Sequence, residues 1–177
     1  PCFCTRKDIQ AEIERSGAAP HGPEGPLYPG TCRVLSISER QEKFSSGMPY
    51  ALRLDVTKAC ASCGPLHWFD RDKGQQAATP EILGDVVLAR KDFGTSYHLA
   101  SVWDDALQSV THVIRGEDLR DAAHLHVLLQ KVLALPQPLY RHHRLIFGED
   151  GKRLAKRDQT ATLRALREAC KAPGDVR

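Results

Sequence analysis

Apolar residues recur along this chain with two different periods. Leu125, Leu128, Leu129, Val132 and Leu133 fall on one helical stripe, with Asp121 where an N-cap belongs and Pro136 as the stop. A second, shorter helix is predicted over 6–15, where Ile9 and Ile13 follow the capping-box spacing of Thr5 and Asp8 and Gly17 ends the run. Tyr50, Leu52, Leu54 and Val56 alternate with Ala51, Arg53 and Asp55, the period of a half-buried strand. Residues 84–89, 96–103, 110–116 and 140–147 read as further strands, and 160–170 as a last helix. Four Pro and four Gly make 16–30 a loop, and 57–80 and 148–158 also read as loops. Strand, helix and strand in succession across 110–147 predict a βαβ unit and hence an α/β fold, and no internal repeat interrupts it.

Composition narrows the class. At 177 residues, with 41% hydrophobic and 27% charged residues, the chain is long enough to bury a core and unlike disordered or fibrous sequences. It has no apolar run of the ~18 residues a membrane helix needs and no signal-peptide pattern at its start. The net charge of +3 is unevenly spread: residues 137–177 hold ten Lys/Arg against five Asp/Glu. A basic C-terminal end suits a phosphate or RNA partner and equally a solvated surface. Pro1 in place of Met reads as a start inside a longer protein.

Three constellations offer chemistry. Cys2, Cys4 and Cys32 supply three thiolates on either side of the Pro/Gly loop, most of a tetrahedral zinc shell, with Tyr28 and His21 as candidates for a fourth ligand. Cys60 and Cys63 form a Cys-x-x-Cys without a second pair and read as incidental thiols; Cys170 reads as a packing residue. The run KRLAKR at 152–157, between glycines, suits a phosphate clamp or a plain basic surface. Arg115 closes an apolar strand, where ligands bind in α/β sheets, and could grip a carboxylate or pair with Glu117 or Asp118.

CFCTR at 2–6, YPGTCR at 28–33, GDVVLARKD at 84–92, YHLASVWDD at 97–105, THVIRGEDL at 111–119 and GKRLAKRD at 151–158 stand in one order over nearly the whole chain. Together they resemble the class I glutamyl-tRNA synthetase family, and most of all its short, queuosine-directed branch. The resemblance implies the second half of a Rossmann-type catalytic domain with an inserted zinc-containing α/β subdomain. Residues 1–95 would form that subdomain, 96–158 the catalytic half and 159–177 the start of a helical segment. It further implies Cys2, Cys4, Tyr28 and Cys32 as ligands of a structural zinc, Tyr97 and Arg115 on the glutamate, and Lys156 on the ATP phosphates. Arg153, Leu154, Ala155, Lys156 and Arg157 correspond to the family's KMSKS signature, with Ala155 lacking a hydroxyl found there.

The activity implied is ATP-dependent formation of glutamyl-adenylate, with Mg2+, and transfer of the glutamyl group to the queuosine base of tRNA(Asp). Three features point to that acceptor: GEDL at 116–119, the Tyr-x-x-x-Cys half of the thiol group, and the short path from GEDL to RLAKR. A glutamyl-tRNA synthetase charging tRNA(Glu) and a non-catalytic zinc and RNA-binding module are the alternatives. The family's first half, with its HIGH signature, would precede Pro1, so these 177 residues alone are expected not to form the adenylate. A cytoplasmic monomer with reduced cysteines is the expected setting.

Overall fold

The structure, a computed structural model, describes residues 1–16, 21–23, 25–92, 94–147, 151, 163–170, 172 and 174. Its centre is the helix α5, Ala122–Val132, because this helix is buried on two sides. Leu125, Leu128 and Leu129 pack with Val56, Leu83, Val86 and Val102. Ala123 and Val127, on the opposite flank, pack with Trp68 and Tyr140 of a sheet. A helix apolar on both flanks belongs between layers rather than at the surface. Val132 and Leu133, assigned to the same stripe from sequence, lie past the layer and are exposed. Asp121 precedes the helix in αR geometry and makes no side-chain cap, since Ala123 and His124 amides are taken by the carbonyls of Arg120 and Asp121.

The sheet has four strands in the order β5-β4-β8-β7. Strands β7, His112–Gly116, and β8, Leu139–His143, are parallel neighbours joined through α5, which is the βαβ unit expected from the sequence. Strand β8 is shorter than the 140–147 segment read from periodicity. Strand β4, His67–Asp70, runs parallel to β8 and turns back into β5, Gly74–Ala77. Alternation puts Trp68 and Asp70 of β4 and Tyr140 and His142 of β8 on the buried face, and Arg115 of β7 lies in register with His142.

Several expectations from sequence are corrected here. The 57–80 segment is no loop: it holds α3, Val56–Cys63, capped by Asp55 accepting from the Lys58 amide at 3.0 Å, and the β4-β5 hairpin. The hairpin escaped notice because its inward positions include a carboxylate, Asp70, which accepts from the Asp72 and Lys73 amides and folds the turn before Gly74. Residues 96–103 form no strand but open α4, Tyr97–Leu107, whose buried residue is Val102. Tyr97, Leu99, Val102 and Trp103 imitated a strand's apolar content. A helix over Ile37–Ser45, α2, was missed although Ser36 and Glu39 form a reciprocal capping box.

The remaining differences are of extent. Helix α1, Arg6–Ser16, starts as expected, with Thr5 and Asp8 exchanging hydrogen bonds of 2.6 and 3.2 Å. The alternation at 50–56 yields only β3, Leu52–Arg53, because Asp55 caps the helix that begins at Val56. Strand β6, Val87–Ala89, pairs with β3 and begins three residues late, Gly84 at φ 60° closing a 3-10 turn over Pro80–Leu83. Two-residue strands β1, His21–Gly22, and β2, Gly25–Pro26, pair inside the Pro/Gly segment. Helix α6 spans Leu163–Glu168, and Cys170 beyond it is exposed rather than packed.

Candidate functional site

The N-terminus is brought to the thiols by a two-residue bridge. Cys2 and Ala51 exchange backbone hydrogen bonds of 2.7 and 2.9 Å, which fixes Cys2 beside the start of β3. Cys2, Cys4 and Cys32 then place their sulfurs within 4.8 Å of one another, and among the described residues they are the group able to hold a metal ion. Cys4 and Cys32 sulfurs are 3.3 Å apart, and the Phe3 amide donates to Cys32 Sγ at 3.3 Å. The Tyr28 hydroxyl lies 3.5 Å from Cys2 Sγ and accepts from the Cys32 amide at 2.8 Å. Tyr28 therefore meets the thiols, whereas the His21 side chain lies outside the described residues.

Electrostatics at the group are uneven. Burial and the neighbouring thiols push Cys4 up to about 12, whereas hydrogen bonds from the Phe3 amide and Cys4 outweigh burial at Cys32 and hold its thiol below the ordinary range. Burial also raises the Tyr28 phenol. Three sulfurs within 4.8 Å of one another, with the Tyr28 hydroxyl beside Cys2, are a donor set that suits a tetrahedral zinc ion. Deprotonation at these groups is what a cation would supply.

The corner is tied to the core through Asp85, which is 8% exposed. Its carboxylate pairs with Arg33, the residue after Cys32, and accepts from the Val56 amide at 3.2 Å. Its carbonyl accepts from Arg53 Nη1 at 2.8 Å, and the Arg53 guanidinium lies over the Tyr28 ring, 4.2 Å from its centroid. Lys91 clamps the other side, donating to the carbonyls of Phe3 and Cys4 at 2.9 and 3.0 Å.

A cleft of about 680 Å³ runs from this corner to the start of α4, with Cys4, Tyr28, Arg53 and Lys91 at one end and Tyr97 and His98 at the other. Tyr97 is half exposed there, its ring 5.9 Å from that of His126. His126 in turn meets Arg115. Glu117, one of the ion-pair partners considered for Arg115, pairs with Lys73 at 2.9 Å instead. The Arg115 guanidinium meets His142 Nε2 and His126 Nδ1, and its Nη2 is buried with no acceptor among the described residues. Nothing in the sequence pattern links His98, His126 and His142 to Arg115, and only the structure brings them together.

Arg153, Leu154, Ala155, Lys156 and Arg157 lie outside the described residues. Cys60 and Cys63, both on α3, pack partly buried against the main core, and burial pushes Cys60 up to about 12. No helix among the described residues is long and apolar enough to cross a membrane.

The family model for tRNA synthetases class I (E and Q), catalytic domain, matches residues 1–175. The chain belongs to this family. A glutamyl-Q tRNA(Asp) synthetase of Rhodobacter capsulatus is 44% identical over 99% of the chain and 64% of its own length. One from Nocardia farcinica is 41% identical over 99% of the chain and 52% of its own length. A glutamate–tRNA ligase 2 of Nitrosococcus oceani is 37% identical over 96% of the chain and 34% of its own length. Among solved structures, a glutamate tRNA ligase from Elizabethkingia meningosepticum, in complex with its amino acid, superposes with a TM-score of 0.66 at 29% identity, covering 89% of this chain and 32% of that one. The chain thus spans between half and two thirds of the glutamyl-Q relatives it matches, and its α/β architecture is that of a class I catalytic domain.

Proposed function

We propose that this chain forms part of an enzyme that activates glutamate with ATP and transfers it to the queuosine base of tRNA(Asp). The observation that carries the reading is Arg115, whose buried Nη2 has no acceptor among the described residues and which meets Tyr97's neighbour His126, in a chain matched along its length by the family. A guanidinium in that condition suits a charge-assisted hydrogen bond from Nη2 to a carboxylate, and Tyr97 on the cleft wall would flank the same substrate. Positioning the glutamate carboxylate against the ATP α-phosphate is the larger part of such catalysis, because attack and departure of pyrophosphate involve little covalent chemistry by the protein. Lys156, in the segment that corresponds to KMSKS, would neutralise phosphoryl charge, with Mg2+ on the phosphates. Zinc held by Cys2, Cys4, Tyr28 and Cys32 would brace the corner that forms the far end of the cleft.

The division into 1–95, 96–158 and 159–177 belongs to the same proposal, with one core and one sheet shared across residue 95. So does a reducing, cytoplasmic setting, in which the thiols stay available to metal. The acceptor is supported by the names of the Rhodobacter and Nocardia relatives. Charging of tRNA(Glu) is the second reading, favoured by the Nitrosococcus relative. The test is glutamate transfer by the whole gene product, with ATP and zinc, to queuosine-containing tRNA(Asp) and to tRNA(Glu) in parallel. Labelling of tRNA(Asp) alone is expected; labelling of tRNA(Glu) alone moves the assignment to the second reading. Labelling of neither by a folded, zinc-loaded protein leaves a binding module.

A further inference from the structure

A guanidinium at the end of a buried strand ordinarily meets carboxylates or backbone carbonyls. Arg115 meets imidazoles: its Nε donates to His142 Nε2 at 3.2 Å and its Nη1 lies 3.4 Å from His126 Nδ1. Each imidazole is held from its far side. His142 Nδ1 is 3.0 Å from Asp70 Oδ2, in a pair whose side chains are at most 1% exposed. His126 Nε2 is 3.2 Å from Nδ1 of His98, the residue after Tyr97.

A neutral imidazole has one donor and one acceptor, so these contacts fix the tautomers. His142 donates its Nδ1–H to Asp70, which leaves the Nε2 lone pair for Arg115. His126 accepts at Nδ1 and donates from Nε2 to His98. Burial, Arg115 and His98 hold His126 neutral, at about 3. Asp105 also interacts with Arg115, and burial raises its carboxyl above the ordinary value although Arg115 opposes the shift. The guanidinium is therefore oriented by two neutral acceptors, and Asp70, the carboxylate behind His142, stands a full imidazole away.

We infer that His142 with Asp70 and His126 with His98 are positioning residues, which orient Arg115 while leaving its charge and its Nη2 for a substrate carboxylate. The inference rests on the glutamate reading of Arg115. A direct carboxylate partner would hold the same geometry but neutralise the cation, and the substrate would then compete with an ion already in place.

The test is ATP–pyrophosphate exchange by the whole gene product over a range of glutamate and, separately, of ATP. His126→Leu removes the acceptor from Arg115, and losing one hydrogen bond to a charged group is expected to raise KM for glutamate about tenfold or more, with KM for ATP unchanged. His126→Gln can still accept from Arg115 and donate to His98, and is expected to recover most of that loss. His142→Leu and His142→Gln should behave as a second such pair. Equal effects of Leu and Gln at both positions, a parallel rise in KM for ATP, or no effect of the Leu variants would overturn the positioning role. Arg115→Leu separates the two ideas. If it leaves KM for glutamate unchanged, the glutamate reading has failed; if it raises KM while the histidine variants do not, only the positioning inference has. A Leu variant that unfolds leaves the decision to its Gln counterpart, whose Arg115 contact predicts near wild-type KM, and a raised value there counts against the proposal.

Discussion

Asp85 joins the thiol corner to the main core, and replacing it should loosen both. Its carboxylate serves two donors of different worth. The Val56 amide is at the start of α3, at a residue only 1% exposed, so an unfilled acceptor there leaves a buried donor orphaned at about 1–3 kcal/mol. The Arg33 side chain is 49% exposed and has Asp55 at 3.9 Å as an alternative, so its pairing is worth about 1 kcal/mol or less after screening. Asp85→Ala should therefore lower unfolding free energy by about 1–4 kcal/mol, read from the urea midpoint at unchanged slope. Asp85→Asn keeps an oxygen for the Val56 amide and should cost about 1 kcal/mol. Because Arg33 follows Cys32, the Ala variant should also surrender zinc to a chromogenic chelator faster than wild type. The reasoning fails if Asn is as costly as Ala, since the charge rather than the amide contact would then dominate. It fails equally if Ala unfolds within about 0.5 kcal/mol of wild type, the range of an ordinary surface substitution.

Other outcomes follow from the same geometry. Cys4→Ser should lower bound zinc from about one equivalent toward none by atomic absorption, and chelation should raise amide exchange around Cys2 and 28–33 while leaving α5 protected. Leu128→Ala, at a fully buried position between α5 and α3, should cost about 2–5 kcal/mol in chemical denaturation. His126 sits at about 3 against an ordinary 6.5, so its unfolded form binds the proton first and stability falls as pH drops below 6.5, by at most ~1.4 kcal/mol per unit. His126→Gln should flatten that part of the profile. Asp70 adds a separate loss at lower pH: hydrogen bonds from His142 and two amides outweigh burial and hold it below 3.8, so its contribution is present above that value and fades as pH falls through the folded one. Asp70→Asn should remove this second limb from denaturation midpoints measured between pH 5 and 2.

Local chemistry was enough for what depends on neighbours in sequence. The apolar stripe of α5, the Thr5/Asp8 cap, the β7-α5-β8 unit and the gathering of Cys2, Cys4 and Cys32 were all legible, because periodicity, capping and thiol type each carry their own signal. Helix α2 was legible too, through Ser36 and Glu39, and was overlooked. What needed the tertiary structure is of another kind. Leu99, Val102 and Trp103 lent the start of α4 the apolar content of a strand, and only packing of Val102 against α5 shows which face is inside. Asp70 in a core position hid the β4-β5 hairpin, because a buried carboxylate is intelligible only beside the His142 it serves, 72 residues away. The sequence could single out Arg115 at its strand end, but three histidines from α4, α5 and β8 acquire a role only where the sheet and two helices converge on it. Contacts across such separations leave no period in the sequence, so the fold alone assembles them.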